Sequence, residues 1–435
     1  MNTLLLQPTD TLFFRDGRPM SGSLSGHGAA WPLPTVINAA LHAALHRAEF
    51  EGVHKHVPGR SSQKRDFSAE NRENKGRLFG SLVSAGPFPV NPAGDWFFQR
   101  PADAQKAGST LTTLQPTTTP GTSSLPKPLA YPVGNTQPPT KDKPETWLSQ
   151  EAFQHYLNQT HAPANQFLSD SDFTDTEHSI GIGISAETGT QDGERIYSAH
   201  SLRLREGWGF GTLAEALDKV NGDSTNKRDL VQTLFPNNGN RTPVIVGGQQ
   251  RLCTALRSNP GTLPLPTGPA ITGTLVKWVL LTPAIFPSIN DHPGGWLPSW
   301  VDLQGNIQLL DGPGKNYAKR HKVSEGRRIP GRLVATITGK PIPVTGYALP
   351  NSADPDRTEG GAKTTHLAVP AGSVYYFEAD SEVAAQALAT ALNWHGCDTT
   401  PTTIKNRRST LMGEKGFGLG VCAPWQFHDG KSPIS

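Results

Sequence analysis

Glycine and proline interrupt this chain so often that long regular elements are excluded. There are 45 glycines and 38 prolines among 435 residues, together 83 positions or roughly 19% of the chain, whereas average usage is about 12%. Both residues end or bend helices and strands. The composition therefore predicts short strands joined by long irregular loops, and the length favours two domains over one.

The charge and the cysteines exclude several classes of protein. The formal net charge is +3 and the pI is about 8.7, so only a local cluster of positive charge would indicate a polyanionic partner. Cys253, Cys397 and Cys422 are far apart and form no CxxC pair, which argues against a disulfide framework and a zinc or iron–sulfur site. The first residues do not resemble a secretory leader, and no apolar run approaches the ~18 residues of a membrane span. We expect a cytoplasmic protein without a cofactor or membrane contact.

Periodicity predicts one clear helix in each half of the chain. Apolar residues at 36, 37, 40, 41, 44, 45 and 48 recur with helical spacing, with Thr35 as the N-cap and Pro34 outside the helix. The second helix is predicted to run from a cap at Asp380 or Ser381 to Trp394. A hairpin is predicted between residues 178 and 212, and shorter strands at 3–6, 244–246, 273–281, 373–377 and 419–423.

The organisation predicted from composition is two α+β units. Residues 258–269 have the composition of a linker, so we predict one domain over residues 1–258 and another over 265–435. Residues 55–77 are polar and basic. Residues 104–146 are rich in Pro, Thr, Ser and Gly without usable periodicity, which predicts a long loop. Both segments are interpreted as insertions in the first domain.

A turn after the opening strand brings two arginines close together in sequence. The dipeptide Asp16-Gly17 favours a tight turn, with Arg15 before it and Arg18 after it. Guanidinium groups bind phosphate oxygens through paired hydrogen bonds, so Arg15 and Arg18 are candidate phosphate ligands. A surface turn in which Arg15 pairs with Asp16 explains the same pattern.

A glycine loop near the end of the chain is a second candidate. Lys415 precedes Gly416, Gly418 and Gly420, which alternate with two apolar residues. Glycines let a backbone approach a sugar-phosphate chain closely and turn its N–H groups toward the oxygens. The loop leads into a strand, whereas a dinucleotide-binding loop leads into a helix. A glycine-rich β-turn explains the spacing equally well.

Other clusters of positive charge are weaker candidates. Two glycines near a basic residue, as in the glycine loop, follow the predicted strand 244–246. These residues are Gly247, Gly248 and Arg251. The basic segments 55–77, 313–332 and 405–415 are candidate phosphate-contact surfaces. A run of charges is more often a solvated face, so none of these segments identifies a site alone.

No combination of residues indicates catalysis. His54 and His56 lie in a polar loop without neighbouring acidic or cysteine ligands. The chain has no HExxH, no G-x-S-x-G and no Walker lysine. Pairs of Asp and Glu occur, but nothing distinguishes two of them as an acid–base couple. We therefore predict no catalytic and no metal site.

Taken in order, the motifs resemble one family, the third RAMP-type subunit of the type III-B CRISPR (Cmr) effector complex, related to the fifth Cas protein group. The motifs that carry the resemblance span nearly the whole chain and are residues 8–10, 13–19, 31–35, 180–184, 188–190, 196–197, 247–251, 281–284, 294–298, 369–377 and 416–420. The segment Val369–Phe377 is the most specific of them. Gly339-Lys340-Pro341 also fits the family. Gln249 stands where an acidic residue is usual, and Tyr347 where a tryptophan is expected.

The resemblance implies two ferredoxin-like (RRM-like) domains with long loop and β-hairpin insertions. It also implies a non-catalytic subunit that holds the 5′ handle of the CRISPR RNA. Such subunits contact the large polymerase/cyclase-like subunit and a backbone RAMP subunit. The RNA-binding residues expected on this basis are Arg15, Arg18, Gly247, Gly248, Arg251, Lys340, Lys415, Gly416, Gly418 and Gly420.

Two alternatives remain open at this level. The chain could be a RAMP endoribonuclease that processes precursor CRISPR RNA without a metal, with His27, His42 or His46 as the acid–base residue. It could also be the handle-binding subunit of a type I complex. His42 and His46 lie four residues apart on the first predicted helix, where packing explains them more simply than catalysis.

Overall fold

The computed structural model describes residues 1–15, 25–26, 31–48, 81–107, 110–118, 125–134, 145–160, 166–220, 223–237, 239–348 and 361–428. Strand is more frequent than helix in these residues, and the α+β class is confirmed. The described helices are α1 (Pro34–Arg47), α2 (Gln150–Leu157), α3 (Leu230–Leu234), α4 (Lys315–His321) and α5 (Glu382–Leu392). None of these helices has both the length and the apolar character needed to cross a membrane.

A six-stranded antiparallel sheet is built from the first half of the chain. Its strands are β1 (Asn2–Pro8), β2 (Leu82–Val90), β3 (Gly209–Val220), β4 (Asp223–Asp229), β5 (Thr242–Ile245) and β6 (Leu252–Ser258). The order across the sheet is β4-β3-β1-β6-β5. The long strand β3 pairs with β1 along one edge and with β2 and β4 along the other.

A four-stranded antiparallel sheet is built from the second half. Its strands are β7 (Leu275–Leu280), β8 (Gly331–Ile337), β9 (Val374–Ala379) and β10 (Gly420–Pro424), in the order β8-β9-β7-β10. Four strands of the first sheet lie side by side in the order β2-β3-β1-β6. In both sets of four, the strands that are second, third, first and fourth along the chain therefore follow one another across the sheet. The division into two ferredoxin-like domains at about residue 258 stays a prediction, and this shared order supports it.

Shorter strands surround the two sheets. They are Ser25–Gly26, Phe97–Gln99, Ala104–Ala107, Thr110–Thr113, Gln115–Pro116, Val133–Gly134, Trp147–Ser149, Phe167–Leu168, Thr174–Ile184, Gln191–Leu204, Ala284–Ile285, Leu310–Asp311, Arg327–Arg328, Ile342–Val344, Tyr347–Ala348, Gly361–Ala362 and His366–Val369. The predicted hairpin is Thr174–Ile184 paired with Gln191–Leu204. Ile180, Ile182 and Ile184 are exposed on one face of it.

Helix α1 begins earlier than the sequence pattern predicts. Leu33 is its N-cap and Pro34 is its first residue, so the prediction that Thr35 caps the helix is wrong. Proline fits the first helical position because the N–H that it lacks would have no partner there. The helix covers the first sheet by burying Ile37 and Leu41 in a core that also includes β1.

Helix α5 begins where one of the two predicted caps lies. The hydroxyl oxygen of Ser381 accepts a hydrogen bond from the backbone N–H of Ala384 at 3.2 Å. This bond satisfies one of the N–H groups that a helix leaves unpaired in its first turn. The cap at Ser381 is therefore confirmed, and Asp380 lies outside the helix.

The four-stranded sheet is buried on both faces. Neighbouring residues Tyr375 and Tyr376 of β9 point to opposite sides of the sheet, yet both side chains are buried. Tyr375 lies in a core formed with α5, whereas Tyr376 lies in a second core that includes Phe88 of β2 and Phe153 of α2. Alternation along a strand would place only one of two neighbouring side chains on any one face. The second core joins the two halves of the chain.

Two segments that composition assigned to loops take part in this packing. Leu263 and Leu265 of the expected linker 258–269 are buried in the second core, so this connection is not a free linker. In the insertion 104–146, Ala104–Ala107 pairs with Thr110–Thr113 and Gln115–Pro116 pairs with Val133–Gly134. The prediction of a long loop is wrong for these residues, which form paired strands. Residues 119–124 and 135–144 of the insertion lie outside the described residues.

Candidate functional site

One cleft brings together residues that lie far apart in the chain. It has a volume of about 1050 Å³ and is lined by residues 13–15, by one face of α1, and by Gly247 and Gly248. Its other wall comes from the second half of the chain and includes residues 345–346, 361–364, His366, Met412 and Lys415. Four of the ten residues proposed from sequence therefore share this cleft: Arg15, Gly247, Gly248 and Lys415.

Arg15 reaches the cleft because the two phenylalanines before it are anchored. Phe14 is buried and packs edge-on against Phe210, with ring centroids 6.3 Å apart. Phe13 is half-buried and forms a β-bridge with Gly248. With these two side chains fixed, Arg15 is exposed at the edge of the cleft. Its predicted companion Arg18 lies outside the described residues, as do His27 and the basic segment 55–77.

The double glycine joins the end of β5 to the Phe13–Arg15 segment. The N–H of Gly248 donates to the carbonyl oxygen of Phe13 at 2.9 Å. Gly247 has a φ of +78°, and a Cβ atom there would lie 2.6 Å from the carbonyl oxygen of Phe13. Glycine is therefore required at 247 by the close approach of two backbones. This packing explains the motif and holds one wall of the cleft in place.

Arg251 is directed away from the cleft. Its Nη1 lies 3.6 Å from Oδ2 of Asp10, and its Nη2 donates to Oε1 of Gln249 at 3.3 Å. Arg203 also contacts the Asp10 carboxylate, at 2.9 Å. Hydrogen bonds from the backbone of Thr11 and from Arg203 lower the pKa of Asp10. Gly247 and Gly248 therefore line the cleft, whereas Arg251 contacts Asp10 outside it.

The glycine loop is in the interior of the protein. Residues 416–420 are all buried. A Cβ atom would lie 3.0 Å from Cα of Ala85 at Gly416, 2.0 Å from the backbone N of Ser409 at Gly418, and 2.1 Å from Nε1 of Trp278 at Gly420. Each glycine thus allows a close contact within the protein. This burial favours a packing role for the three glycines over direct RNA contact.

The basic segment 405–415 contributes less positive charge to the surface than its sequence suggests. Arg407 donates to the carbonyl oxygen of Ser84 at 2.8 Å, and Arg408 donates to that of Ala391 at 2.6 Å. Burial lowers the pKa of both guanidinium groups to about 10, so both stay charged at neutral pH. Lys405 is exposed and Lys415 is half-buried at the cleft. The two arginines hold the loop in place, and Lys415 faces the cleft.

Lys340 is exposed in the connection between β8 and Ile342–Val344 and does not line the cleft. The prediction that it contacts RNA is therefore independent of the cleft. His42 and His46 lie beside each other on α1, with ring centroids 4.7 Å apart, and they do not line the cleft either.

The described lining of the cleft carries positive charge. Arg15, Lys363 and Lys415 line it together with His366, and no described carboxylate does. Lys363 was not among the residues selected from the sequence. It is the only lysine or arginine between Gly360 and His366. Exposed Ala39 and Ala43 form the floor on α1. Such a surface can hold phosphates by charge and bases or sugars by apolar contact.

The part of the chain that the structure describes contains no group of three His, Cys, Asp or Glu side chains arranged to hold a metal ion. Among the described residues that line the cleft, His366 is the one histidine. What the arrangement can do chemically is attract and orient a polyanion.

Comparisons with known proteins identify the family. The family model described as CRISPR-associated protein (Cas_Cmr3) matches residues 4–425. No curated protein matches the chain. A structure described as type III-B Cmr-beta bound to cognate target RNA is 14% identical, with 86% of each chain covered and a TM-score of 0.38. The Csm3–Csm4 subcomplex of the type III-A CRISPR–Cas interference complex is 11% identical, with 88% of this chain and 93% of that chain covered and a TM-score of 0.34.

The likeness to these two structures is too distant to carry an argument, so the assignment depends on the family model. That model extends over almost the whole chain and favours the type III-B family over the type I alternative. The protein therefore belongs to the CRISPR-associated Cas_Cmr3 family, and the resemblance carried by its ordered motifs is confirmed.

Proposed function

We propose that this chain, as a Cas_Cmr3 subunit of a type III-B CRISPR effector complex, holds the 5′ handle of the CRISPR RNA in the cleft. The observation that carries the proposal is the lining of the cleft. Arg15, Lys363 and Lys415 converge there from three distant parts of the chain, and no described carboxylate lines the cleft. Phosphate contacts supply much of the affinity of proteins for nucleic acid, and carboxylates nearby would weaken them.

The cleft is large enough for a short nucleic-acid segment. Its volume of about 1050 Å³ is just above the roughly 300–1,000 Å³ typical of small-molecule pockets. The half-buried ring of Phe13 offers an aromatic face for a base. Single-stranded RNA is bound through such combinations of charge and stacking.

The other parts of the proposed role come from the family. The chain is proposed to act without catalysis in the cytoplasm, and to bridge the large cyclase-like subunit and a backbone RAMP subunit. Arg251, Lys340 and the three buried glycines remain predicted contacts that do not line the cleft. Arg18 remains a predicted contact that lies outside the described residues. Arg15, Lys363 and Lys415 are the residues on which the proposal depends.

Crosslinking in the assembled complex tests the proposal. A CRISPR RNA with a photoreactive nucleotide in its 5′ handle should crosslink to peptides that contain residues 13–15, 361–366 or 412–415. The variant Arg15→Glu/Lys415→Glu should lose most of this crosslinking, whereas Lys405→Glu, an exposed charge reversal outside the cleft, should retain it. Crosslinking confined to other peptides, or unchanged in the double variant, would contradict the proposal.

A separate assay addresses the enzymatic alternative. The purified chain is incubated with repeat RNA in EDTA, and we expect no site-specific product. Cleavage that is abolished by His42→Ala or His46→Ala would show a RAMP endoribonuclease instead.

A further inference from the structure

The second half of the chain contains a basic segment that does not line the cleft. The strands Leu310–Asp311 and Arg327–Arg328 pair with each other, and α4 lies between them. We call residues 310–328 the basic arm. Leu309 and Ile329, which flank it, are buried and joined by a backbone hydrogen bond of 2.9 Å. The arm therefore starts and ends in the core, while most of its side chains are exposed.

The net charge of the protein is concentrated in this arm. It holds six cationic residues, Lys315, Lys319, Arg320, Lys322, Arg327 and Arg328, and two carboxylates, Asp311 and Glu325, which gives a net charge of +4. The whole chain has a formal net charge of +3, so the remaining residues together are slightly negative. No described carboxylate forms an ion pair with any of the six cations. Such a concentration of unpaired charge attracts a polyanion.

Two aromatic rings accompany the charge. Tyr317 is 55% exposed, and its ring lies 4.1 Å from that of His321, centroid to centroid, at an angle of 31°. These residues are four apart on α4, so they share a face of the helix with Arg320, three residues after Tyr317. An exposed tyrosine beside a guanidinium group is a surface on which a base can stack.

We propose that the basic arm is a second binding surface for single-stranded RNA, separate from the cleft. The cations would contact phosphates, and Tyr317 with His321 would stack on an unpaired base. The aromatic pair favours single-stranded RNA over an acidic protein surface, which needs only charge, and over a duplex, whose bases are already stacked. No arm residue lines the cleft, so this inference does not depend on handle binding there.

The test separates the two surfaces. Binding of a fluorescent unstructured 12-nucleotide RNA to the full-length chain is measured in an Arg15→Glu/Lys415→Glu background, in which the cleft is disabled. Adding Lys319→Glu/Arg320→Glu should weaken the remaining binding by about tenfold or more. Lys227→Glu/Lys405→Glu, the same change of charge at two exposed lysines elsewhere, should not weaken it more than about twofold.

The stacking contribution has its own variants. Tyr317→Ala/His321→Ala should weaken binding by about fivefold or more without changing the salt dependence, whereas Tyr317→Phe, which keeps the ring, should bind normally. A polyglutamate peptide should compete poorly. The proposal would be overturned if the arm variants bound the RNA as tightly as the background protein does. It would also be overturned if polyglutamate competed as well as RNA and Tyr317→Ala/His321→Ala left the affinity unchanged. Handle crosslinking in the complex reports on the cleft independently.

Discussion

The ammonium group of Lys277 lies 3.0 Å from Oδ2 of Asp103, although 174 residues separate them. Both side chains are buried, Lys277 on β7 and Asp103 just before the strand Ala104–Ala107. The hydroxyls of Tyr156 and Tyr376 donate to the same carboxylate at 2.6 and 3.1 Å. Burial, followed by the negative charge of Asp103, raises the pKa of both tyrosines. The residue just before the inserted segment 104–146 is thus tied to the four-stranded sheet by a carboxylate with three side-chain partners.

Asp103→Asn should strongly destabilise the protein, because it leaves the ammonium of Lys277 buried without a counter-charge. We expect a loss of about 3–5 kcal/mol in the free energy of unfolding, measured by urea denaturation. Arg332→Ala removes an exposed pair with Glu378 at 2.8 Å and should cost about 1 kcal/mol or less. Similar losses in the two variants would show that the buried pair contributes no more than a surface pair.

Gly418→Ala should be far more costly than Gly273→Ala, although both glycines have a φ of +76°. The unfavourable backbone conformation alone costs about 1–2 kcal/mol at either position. At Gly418 the added Cβ would also lie 2.0 Å from the backbone N of Ser409, whereas nothing lies within 4 Å at Gly273. Overpacking adds about 1–3 kcal/mol or more. Equal melting temperatures for the two variants would contradict the packing role of the glycine loop.

Lys415→Gln should reduce the salt dependence of handle binding. Removing one phosphate interaction with single-stranded nucleic acid lowers the slope of log K against log salt by about 0.7. Titrations of handle RNA at several KCl concentrations measure this slope. Lys405→Gln should leave it unchanged because Lys405 does not line the cleft. An unaltered slope in Lys415→Gln would remove this lysine from the RNA-binding residues.

The protein should lose stability below about pH 6.5 through His395. Burial lowers the pKa of His395 from its ordinary 6.5. Its Nε2 accepts from the N–H of Gly268 at 3.2 Å, while its Nδ1 lies 2.8 Å from the carbonyl oxygen of Asp398. A proton on Nε2 would therefore face another N–H group. The unfolded chain binds a proton at a higher pH than the folded protein does, so the free energy of unfolding falls as the pH drops below 6.5.

His395→Gln removes this titration, so its unfolding free energy should depend less on pH between 7 and 5 than that of the original protein. Urea denaturation at a series of pH values measures the difference. Parallel pH profiles for the two proteins would show that another group dominates.

Local sequence patterns were sufficient to predict the elements whose structure depends only on residues nearby in the chain. The cap of α5 needs only Ser381 and the helix after it, and the hairpin around residues 174–204 depends on alternation and a turn. The sequence could not indicate that both Tyr375 and Tyr376 are buried, because that depends on which elements cover the second face of the sheet. Leu263 and Leu265 were assigned to a linker for the same reason.

The cleft could be predicted only in part. Arg15, the double glycine and Lys415 were selected separately, and only tertiary packing shows that they meet. Lys363 was only weakly indicated as a binding residue by the sequence, because it is a single lysine that belongs to no motif or basic cluster. The glycine loop gave an ambiguous signal, because the spacing of glycines is the same whether a backbone approaches RNA or another part of the protein. Gly418 makes the second kind of contact.

The two walls of the cleft come from different halves of the chain, which are synthesised one after the other. Arg15 and Gly247 emerge from the ribosome well before Lys363 and Lys415, and domains generally fold in the order in which they are made. A nascent chain that ends near residue 258 contains all six strands of the first sheet but only half of the lining of the cleft. In the proposed function, the cleft can therefore hold the handle only after Lys363 and Lys415 have been made.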